Sequence, residues 1–354
     1  MKAVVTAGGH GTRLRPITHT KNKHLIPIAN KPMLRYALEY VKDAGIIEVG
    51  VVVNRGDREI EGVFGDGQEL GLKITYIEQE TPLGLAHVVK ISEPFVGEDK
   101  FVFYLGDNIL VGGIRNFIEE FEKNSSNCHL VLSQVPDPQR FGVPEIVDGK
   151  IVSIEEKPSK PKSNFAVTGI YLYDHHIFEA VNHINPSDRG ELEISDAHQY
   201  LLDRRHRVTY SEITGWWKDT GKASDLLEAN RLVLDSMKGR VRGEVDQAST
   251  LRGRVRVGKG SRVVDSSIRG PVMIGENVRV ERAFIGPYTS IADGCEIVGS
   301  EIEYSIVMDN SRVHNVDVRI EASLLGHDVR ITRSDAKPKT HRLSVGDQSR
   351  IELW

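Results

Sequence analysis

Lys2-Ala3-Val4-Val5-Thr6-Ala7-Gly8-Gly9-His10-Gly11-Thr12-Arg13-Leu14 reads as an apolar strand running straight into a glycine-rich loop. Closely spaced glycines after a strand let backbone N–H groups approach a polyphosphate, because glycine accepts positive φ and carries no side chain to stand in the way. Arg13 and Arg15 add fixed positive charge. An ordinary tight turn is the competing reading of any such loop. Two familiar phosphate motifs fail here. The dinucleotide fingerprint needs a third glycine where Leu14 stands, and the P-loop needs Lys-Ser or Lys-Thr where Thr12-Arg13 stands.

Beyond the loop, short apolar runs alternate with helical patterns, the logic of an α/β sandwich. Asn30 as a cap and Pro32 as a first-turn proline open a predicted helix in which Met33, Leu34, Ala37, Leu38 and Val41 share one face, ending at Gly45. Residues 49–53 are a β-branched run with little alternation, as in a parallel strand buried on both faces. Residues 73–78 and 101–105 repeat that pattern, separated by a helix expected over 83–91. Further strands are expected at 130–134, 151–155 and 167–173, and helices at 192–202 and 222–237.

From about Val255 the helical period disappears. Aliphatic residues recur every five or six positions: Val257, Val263, Ile268, Ile274, Val280, Ile285, Ile291, Ile297 and Ile302, then less regularly Val313 and Val318. Glycine follows several, as at Val257-Gly258, Ile274-Gly275, Ile285-Gly286, Leu325-Gly326 and Val345-Gly346. A hexapeptide period implies a parallel β-helix in which each repeat forms one flat side and points its aliphatic residue inward. Ile268, Ile285 and Ile302 are equally spaced, close to three hexads, so successive coils can stack like residues. A β-sandwich would require stricter apolar/polar alternation.

A chain of 354 residues exceeds one compact core, and two domains are expected, at 1–238 and 239–354. With 39% hydrophobic and 27% charged residues it has the composition of a soluble globular protein, and no apolar run approaches the roughly 20 residues of a membrane span. The first residues lack the features of a signal peptide, so a cytoplasmic location is expected. Cys128 and Cys295 stand far apart, outside metal-ligand spacing, and read as small buried hydrophobes. The net charge of -4 and its distribution speak against a nucleic-acid surface.

Gly8-Gly-x-Gly-Thr-Arg-Leu, followed by Lys23 and Leu25-Ile26-Pro27, resembles the signature of sugar nucleotidyltransferases. The resemblance covers roughly residues 1–235. It includes Leu105-Gly106-Asp107-Asn108, Phe141-Gly142-Val143, Glu155-Glu156-Lys157-Pro158, Lys162-Ser163-Asn164, Ala166-Val167-Thr168-Gly169, Arg189-Gly190-Glu191-Leu192-Glu193-Ile194 and Trp217-Lys218-Asp219-Thr220-Gly221. Together these are similar to glucose-1-phosphate thymidylyltransferases, and the repeat tail resembles their long form.

The resemblance implies a Rossmann-like three-layer nucleotidyltransferase domain with a mixed central sheet, followed by a left-handed parallel β-helix. It implies dTTP and glucose 1-phosphate as substrates and Mg²⁺ as cofactor, while the charge distribution and the lack of a long apolar run lead to the expectation of no nucleic-acid or membrane partner. Arg13 and Lys23 would be catalytic. Ala7, Gly8, Gly9, Gly11, Thr12, Gln79, Pro82, Gly84 and Asp107 would bind nucleotide. Asn108, Gly142, Glu156, Lys157, Val167 and Gly169 would bind sugar phosphate, and Asp107 with Asp219 would hold the metal. The chemistry suits these roles. An acid at the carboxyl edge of an open sheet can hold a metal, and two carboxylates suit Mg²⁺. An amide such as Gln79 both donates and accepts, as reading a pyrimidine edge requires.

Read alone, Asp107 could be a helix cap, Asp219 and Lys23 solvated charges, Glu156 with Lys157 an exposed pair, and Gln79 a polar loop residue. His10, His24 and Phe141 depart from the commoner family pattern. A uridylyltransferase acting on glucose 1-phosphate or N-acetylglucosamine 1-phosphate stays open, since one methyl separates the two bases. So does acetyl transfer in the β-helix through His314 or His327, and so does a non-catalytic subunit. The expected task of the β-helix is assembly into a homo-oligomer.

Overall fold

The structure, a computed structural model, describes residues 1–333 and 341–352. The chain divides into two compact units: Met1–His10 with Met33–Asp219, and Gly11–Pro32 with the chain from Thr220 onward.

The first unit is built on a seven-stranded sheet with spatial order Val208–Glu212, Cys128–Gln134, Phe165–Tyr173, Phe101–Leu105, Lys2–Thr6, Glu48–Asn54, Lys73–Gln79. Lys2–Thr6 lies parallel to both Glu48–Asn54 and Phe101–Leu105. Phe165–Tyr173 runs antiparallel to both its neighbours, so the sheet is mixed. The β-branched stretch at 49–53 is buried throughout, as a strand covered on both faces requires. Eight of the nine residues of Phe165–Tyr173 are buried; the Tyr173 ring lies 5.4 Å from Phe101 of the neighbouring strand, which in turn stacks on Phe178 of the helical layer with centroids 5.6 Å apart. Two short antiparallel pairs flank the sheet: Gly142–Val147 with Lys150–Glu156, and Asn108–Leu110 with Trp217–Asp219.

Most expected elements are present with ends shifted by a few residues. The helix Met33–Asp43 buries all five residues of its predicted face. Its start corrects the expected cap: Lys31–Pro32 pairs with Pro27–Ile28 as a two-residue strand, and Asn30 adopts φ +58° instead of capping. The helix expected from 83 begins at Leu85, because Gly84 has φ +97° and the backbone on either side is bonded to Leu192. Strands Asn108–Leu110, Gly142–Val147, Val208–Glu212 and Trp217–Asp219 were not legible in the sequence.

The second unit carries the left-handed β-helix, with three parallel sheets of six, six and five strands among the described residues, starting at Arg240–Val241. Ile268 pairs with Ile285, and Ile285 with Ile302, in the expected stack. Every residue of the inward series from Val257 to Ile302, and Val313, is at most 1% exposed. Val318 is a correction. It is 47% exposed, and Ile320 takes the inward position opposite Ile302, because the last coils are a residue longer. The turns need left-handed backbone at equivalent corners: Asp265, Arg282, Gly299 and Asn315 all have φ between +45° and +57°. Val345-Gly346 lies in no strand. Cys128 and Cys295 are both buried and free, as expected.

The helix Ala223–Ser236 belongs to this unit. Its Asn230, fully buried, accepts from the Ala29 amide at 2.8 Å and the Ser290 hydroxyl at 3.0 Å, and donates to the Tyr288 carbonyl at 3.1 Å. Leu234 packs with Ala29 and Met273. A buried amide with its capacity so fully used fixes the helix and the segment Gly11–Pro32 against the coils.

Candidate active site

The carboxyl ends of Lys2–Thr6, Glu48–Asn54, Lys73–Gln79 and Phe101–Leu105 share one edge of the sheet, where open α/β sheets place ligands. Ala7 donates to the Val52 carbonyl at 2.7 Å and continues the first strand into the loop. Asn54 then clamps the loop, its Oδ1 accepting from the Gly9 amide at 2.9 Å and its Nδ2 donating to the Gly9 carbonyl at 3.3 Å. Gly9 has φ +97°, and a Cβ on Gly8 would stand 3.1 Å from Asn54 Oδ1. Asn54 was missed by the sequence reading. Its signal was its place at the end of the buried run neighbouring the first strand.

Asp107 follows Phe101–Leu105 after Gly106. The register pairs Asp219 with Asn108, so two aspartates distant in sequence stand at adjoining positions of neighbouring backbone segments. Asn108, 2% exposed, organises them. Its Nδ2 donates to Asp107 Oδ1 at 3.0 Å, its Oδ1 accepts from Trp217 Nε1 at 2.6 Å, and its carbonyl accepts from the Tyr104 hydroxyl at 2.9 Å. The Asn108 side chain is therefore a positioning group. Gly169 lets it fit, since a Cβ there would lie 2.8 Å from Asn108 Nδ2 and 2.7 Å from Leu105. The two carboxylates are hard oxygen donors with no cysteine or histidine among these strand residues, and such donors suit a small divalent cation such as Mg²⁺.

Trp217→Phe keeps the edge contact with Phe141, whose ring centroid is 5.6 Å away, but orphans the buried Asn108 Oδ1. The expected cost is ~1–3 kcal/mol of stability, with a lower kcat because Asp107 loses its brace. Thermal unfolding and steady-state kinetics check this; unchanged values in both would remove the bracing role.

Glu156 ends the strand Lys150–Glu156, and Lys157 follows it. Glu156 accepts from the Ser195 hydroxyl at 2.7 Å, with Lys157 Nζ at 3.3 Å and Arg189 Nη2 at 3.6 Å. Gly142 sits beneath them, where a Cβ would be 2.5 Å from Ser195 Oγ and 3.4 Å from Glu156 Oε2. Val167, nearly buried, lies 3.7 Å from that Cβ position. Arg189 opens the segment 189–194 that resembles the family and Ser195 directly follows it, but no local pattern marks either as a partner of Glu156. On the outer strand, the Gln79 amide nitrogen faces His87 Nδ1 at 3.1 Å. Burial and the neighbouring Lys90 hold the His87 imidazole below its usual pKa. Pro82 is exposed, and Gly84 must be glycine because a Cβ would lie 2.5 Å from the Leu192 carbonyl.

Gly11, Thr12, Arg13 and Lys23 belong to the second unit. Gly11 has φ +55° and receives the Thr18 hydroxyl on its carbonyl at 2.7 Å; a Cβ there would lie 3.2 Å from Lys23 Cβ. Thr12–Leu14 is one turn of 3₁₀ helix anchored by buried Leu14. The Arg13 guanidinium lies against Gly221, 3.1 Å from where a Cβ would be. Lys23 opens the turn Lys23–Leu25, capped by Asn22, whose Oδ1 accepts from the His24 amide at 2.9 Å. His24 is buried with its Nδ1 2.9 Å from the same oxygen, which accounts for an imidazole at this position. His10 is exposed, and nothing in the structure explains it.

The sequence model of the family described as nucleotidyl transferase matches residues 2–236. The chain belongs to that family. A glucose-1-phosphate thymidylyltransferase of Streptomyces griseus is 49% identical over 354 residues, covering 100% of this chain and 99% of the relative. The low-salt glycan biosynthesis nucleotidyltransferase Agl11 of Haloferax volcanii is 43% identical over 358 residues, with 100% of each covered. A solved Bacillus anthracis structure bearing the name glucose-1-phosphate thymidylyltransferase, in complex with a sucrose, aligns with TM-score 0.64 and 41% identity, over 68% of this chain and 98% of that one. This nucleotidyltransferase thus shares its C-terminal extension with full-length relatives. No helix among the described residues is long and apolar enough to cross a membrane.

Proposed function

We propose that this nucleotidyltransferase transfers a thymidylyl group from dTTP to glucose 1-phosphate, giving dTDP-glucose and pyrophosphate, in the cytoplasm. The observation that carries this reading is the pairing of Asp219 with Asn108 beside Asp107, within a family fold whose full-length relatives include glucose-1-phosphate thymidylyltransferases.

A phosphate oxygen of the sugar 1-phosphate attacks the α-phosphorus in line, and pyrophosphate leaves. That oxygen is already anionic, so no general base is required. Asp107 and Asp219 would hold Mg²⁺, which would supply charge neutralisation for the transfer. Backbone amides of the Gly8–Gly11 loop bind the triphosphate, with Ala7 and Thr12 at its two ends. Arg13 and Lys23 neutralise charge that grows as the leaving group departs. Gln79, at the end of its strand, reads the base edge, and Pro82 and Gly84 lie in the loop that follows it. Glu156 accepts from sugar hydroxyls, Lys157 holds the sugar phosphate, and Asn108, Gly142, Val167 and Gly169 shape the sugar pocket.

Lys23→Ala is expected to lower kcat by about 10²–10³, the scale of losing one preorganised electrostatic donor, with the fold intact. Pyrophosphate release together with circular dichroism tests this, and near-normal release would remove Lys23 from the mechanism. The reading as a whole is tested by a matrix of nucleoside triphosphates against sugar 1-phosphates with Mg²⁺. The dTTP and glucose 1-phosphate pair is expected to give the highest kcat/KM; UTP with N-acetylglucosamine 1-phosphate leading the matrix would overturn it.

In the β-helix, His314 Nε2 lies 3.3 Å from Glu296 and His327 Nδ1 3.2 Å from Asp309, so each imidazole stands against a carboxylate. No observation favours acetyl transfer over assembly. A homo-oligomer built through the β-helix is the proposed role, tested by light scattering on the intact chain.

A further inference from the structure

The strand Phe165–Tyr173 runs antiparallel to Phe101–Leu105, with Tyr173 opposite Phe101. Asp174 therefore emerges at the end of the sheet remote from Asp107. There it meets a group of imidazoles that the nucleotidyl transfer does not use. One ligand atom from each of Asp174, His175 and His176 lies within 4.8 Å of the others. The His175 and His176 rings have centroids 4.2 Å apart. His206, from the loop before Val208–Glu212, brings a third ring 4.5 Å from His176.

The carboxylate at the centre is held in place. Asp174 Oδ2 accepts from Asn127 Nδ2 at 2.8 Å, Oδ1 accepts from the His176 amide at 3.0 Å, and both oxygens lie 3.0 Å from His176 Nδ1. The Asp174 side chain is only 15% exposed, whereas His175 is exposed and His176 partly so. A fixed carboxylate beside solvent-reachable imidazoles thus places three ligand atoms of two kinds within 4.8 Å of one another, with a further imidazole next to them. A capping contact between Asp174 and the helix His176–His183 explains the Asp174–His176 pair by itself. It does not explain His175 and His206 gathered around the same ring.

Imidazole nitrogen with one carboxylate suits borderline ions of the zinc class, in contrast to the all-oxygen set at Asp107 and Asp219 that suits Mg²⁺. We propose that Asp174, His175 and His176, with His206 completing the set, bind one divalent transition-metal ion of the Zn²⁺ class. The ion would join the end of Phe165–Tyr173 to the loop before Val208–Glu212 at the sheet edge. Because it binds the folded arrangement, it raises the resistance of this edge to unfolding by mass action. Asn127 is the outer partner that orients the carboxylate.

The test is titration of the full chain with Co²⁺ in a large excess of Mg²⁺, followed by visible absorption and thermal melting. One equivalent is expected to bind with a ligand-field spectrum of nitrogen-containing coordination, to be displaced by Zn²⁺, and to raise the melting temperature. His175→Ala, at an exposed position where folding is not at stake, and the double variant His175→Ala/His176→Ala are expected to weaken binding by more than about 100-fold, beyond the effect of losing an outer-shell partner. Both retain Mg²⁺-dependent pyrophosphate release. Asp107→Asn leaves the Co²⁺ spectrum unchanged. Absence of Co²⁺ binding by the wild type, an unaltered isotherm in the double variant, or loss of the signal in Asp107→Asn overturns the proposal.

Discussion

Asp107→Asn lowers pyrophosphate release about a thousandfold while the protein stays folded. The substitution keeps the size of the side chain and removes its charge, and Asn108 and Trp217 still order the strand end. A neutral amide is a poor ligand for Mg²⁺, so the charge neutralisation assigned to the cation is lost. That contribution is several kcal/mol, and about 4 kcal/mol corresponds to ~10³ in rate. The decisive measurement pairs steady-state pyrophosphate release from dTTP and glucose 1-phosphate with a thermal melt of the same sample. A rate within tenfold of wild type, with an unchanged melt, would separate Asp107 from the metal role and leave Asp219 without its partner.

Ile285→Asp unfolds the β-helix. Ile285 is fully buried, stacked between Ile268 and Ile302 in register, inside a core of aliphatic side chains. The substitution removes about 2–3 kcal/mol of apolar burial and places a carboxylate where no described cation faces inward. The total cost is expected to exceed about 5 kcal/mol, comparable with the whole stability of a domain. Ile285→Val, which keeps the stack, costs only about 1 kcal/mol. Chemical denaturation followed by circular dichroism compares the two, and light scattering follows the assembly. Equal midpoints for both variants would mean that the inward column does not hold the coils together. Because Gly11–Pro32 belongs to the same compact unit, Ile285→Asp is also expected to impair turnover, whereas Ile285→Val is not.

The inward column was legible because its cause is local and periodic. One aliphatic residue per side must point to the axis of a triangular coil, and the chain repeats that demand every five or six residues. Departures came where the repeat changes length, as at Val318, which yields its place to Ile320. The parallel strands were legible for a similar reason, because two covered faces demand continuous β-branched runs. Strands such as Trp217–Asp219 and Asn108–Leu110 were not, being too short to show a period and formed only because they pair with each other. Asn30 and Pro32 misled for the opposite reason: their local signals suit a helix start, but Pro32 is paired in a short strand and Asn30 donates to the Ile291 carbonyl at 2.6 Å.

By itself the sequence determined the kind of fold in each part of the chain and the glycine-rich loop after the first strand, because both follow from local patterns; the residues suited to nucleotidyl transfer were legible only through the resemblance of their segments to a family. Only the tertiary structure decided that Asp219 stands beside Asn108, that Asn54 clamps Gly9, and that Ser195 and Arg189 hold Glu156. It also decided that Arg13 and Lys23 belong to the compact unit that carries the β-helix. The physical reason is that strand pairing and side-chain hydrogen bonds join residues up to a hundred or more positions apart, and no period or spacing in the chain encodes which of many acids, amides and hydroxyls will meet.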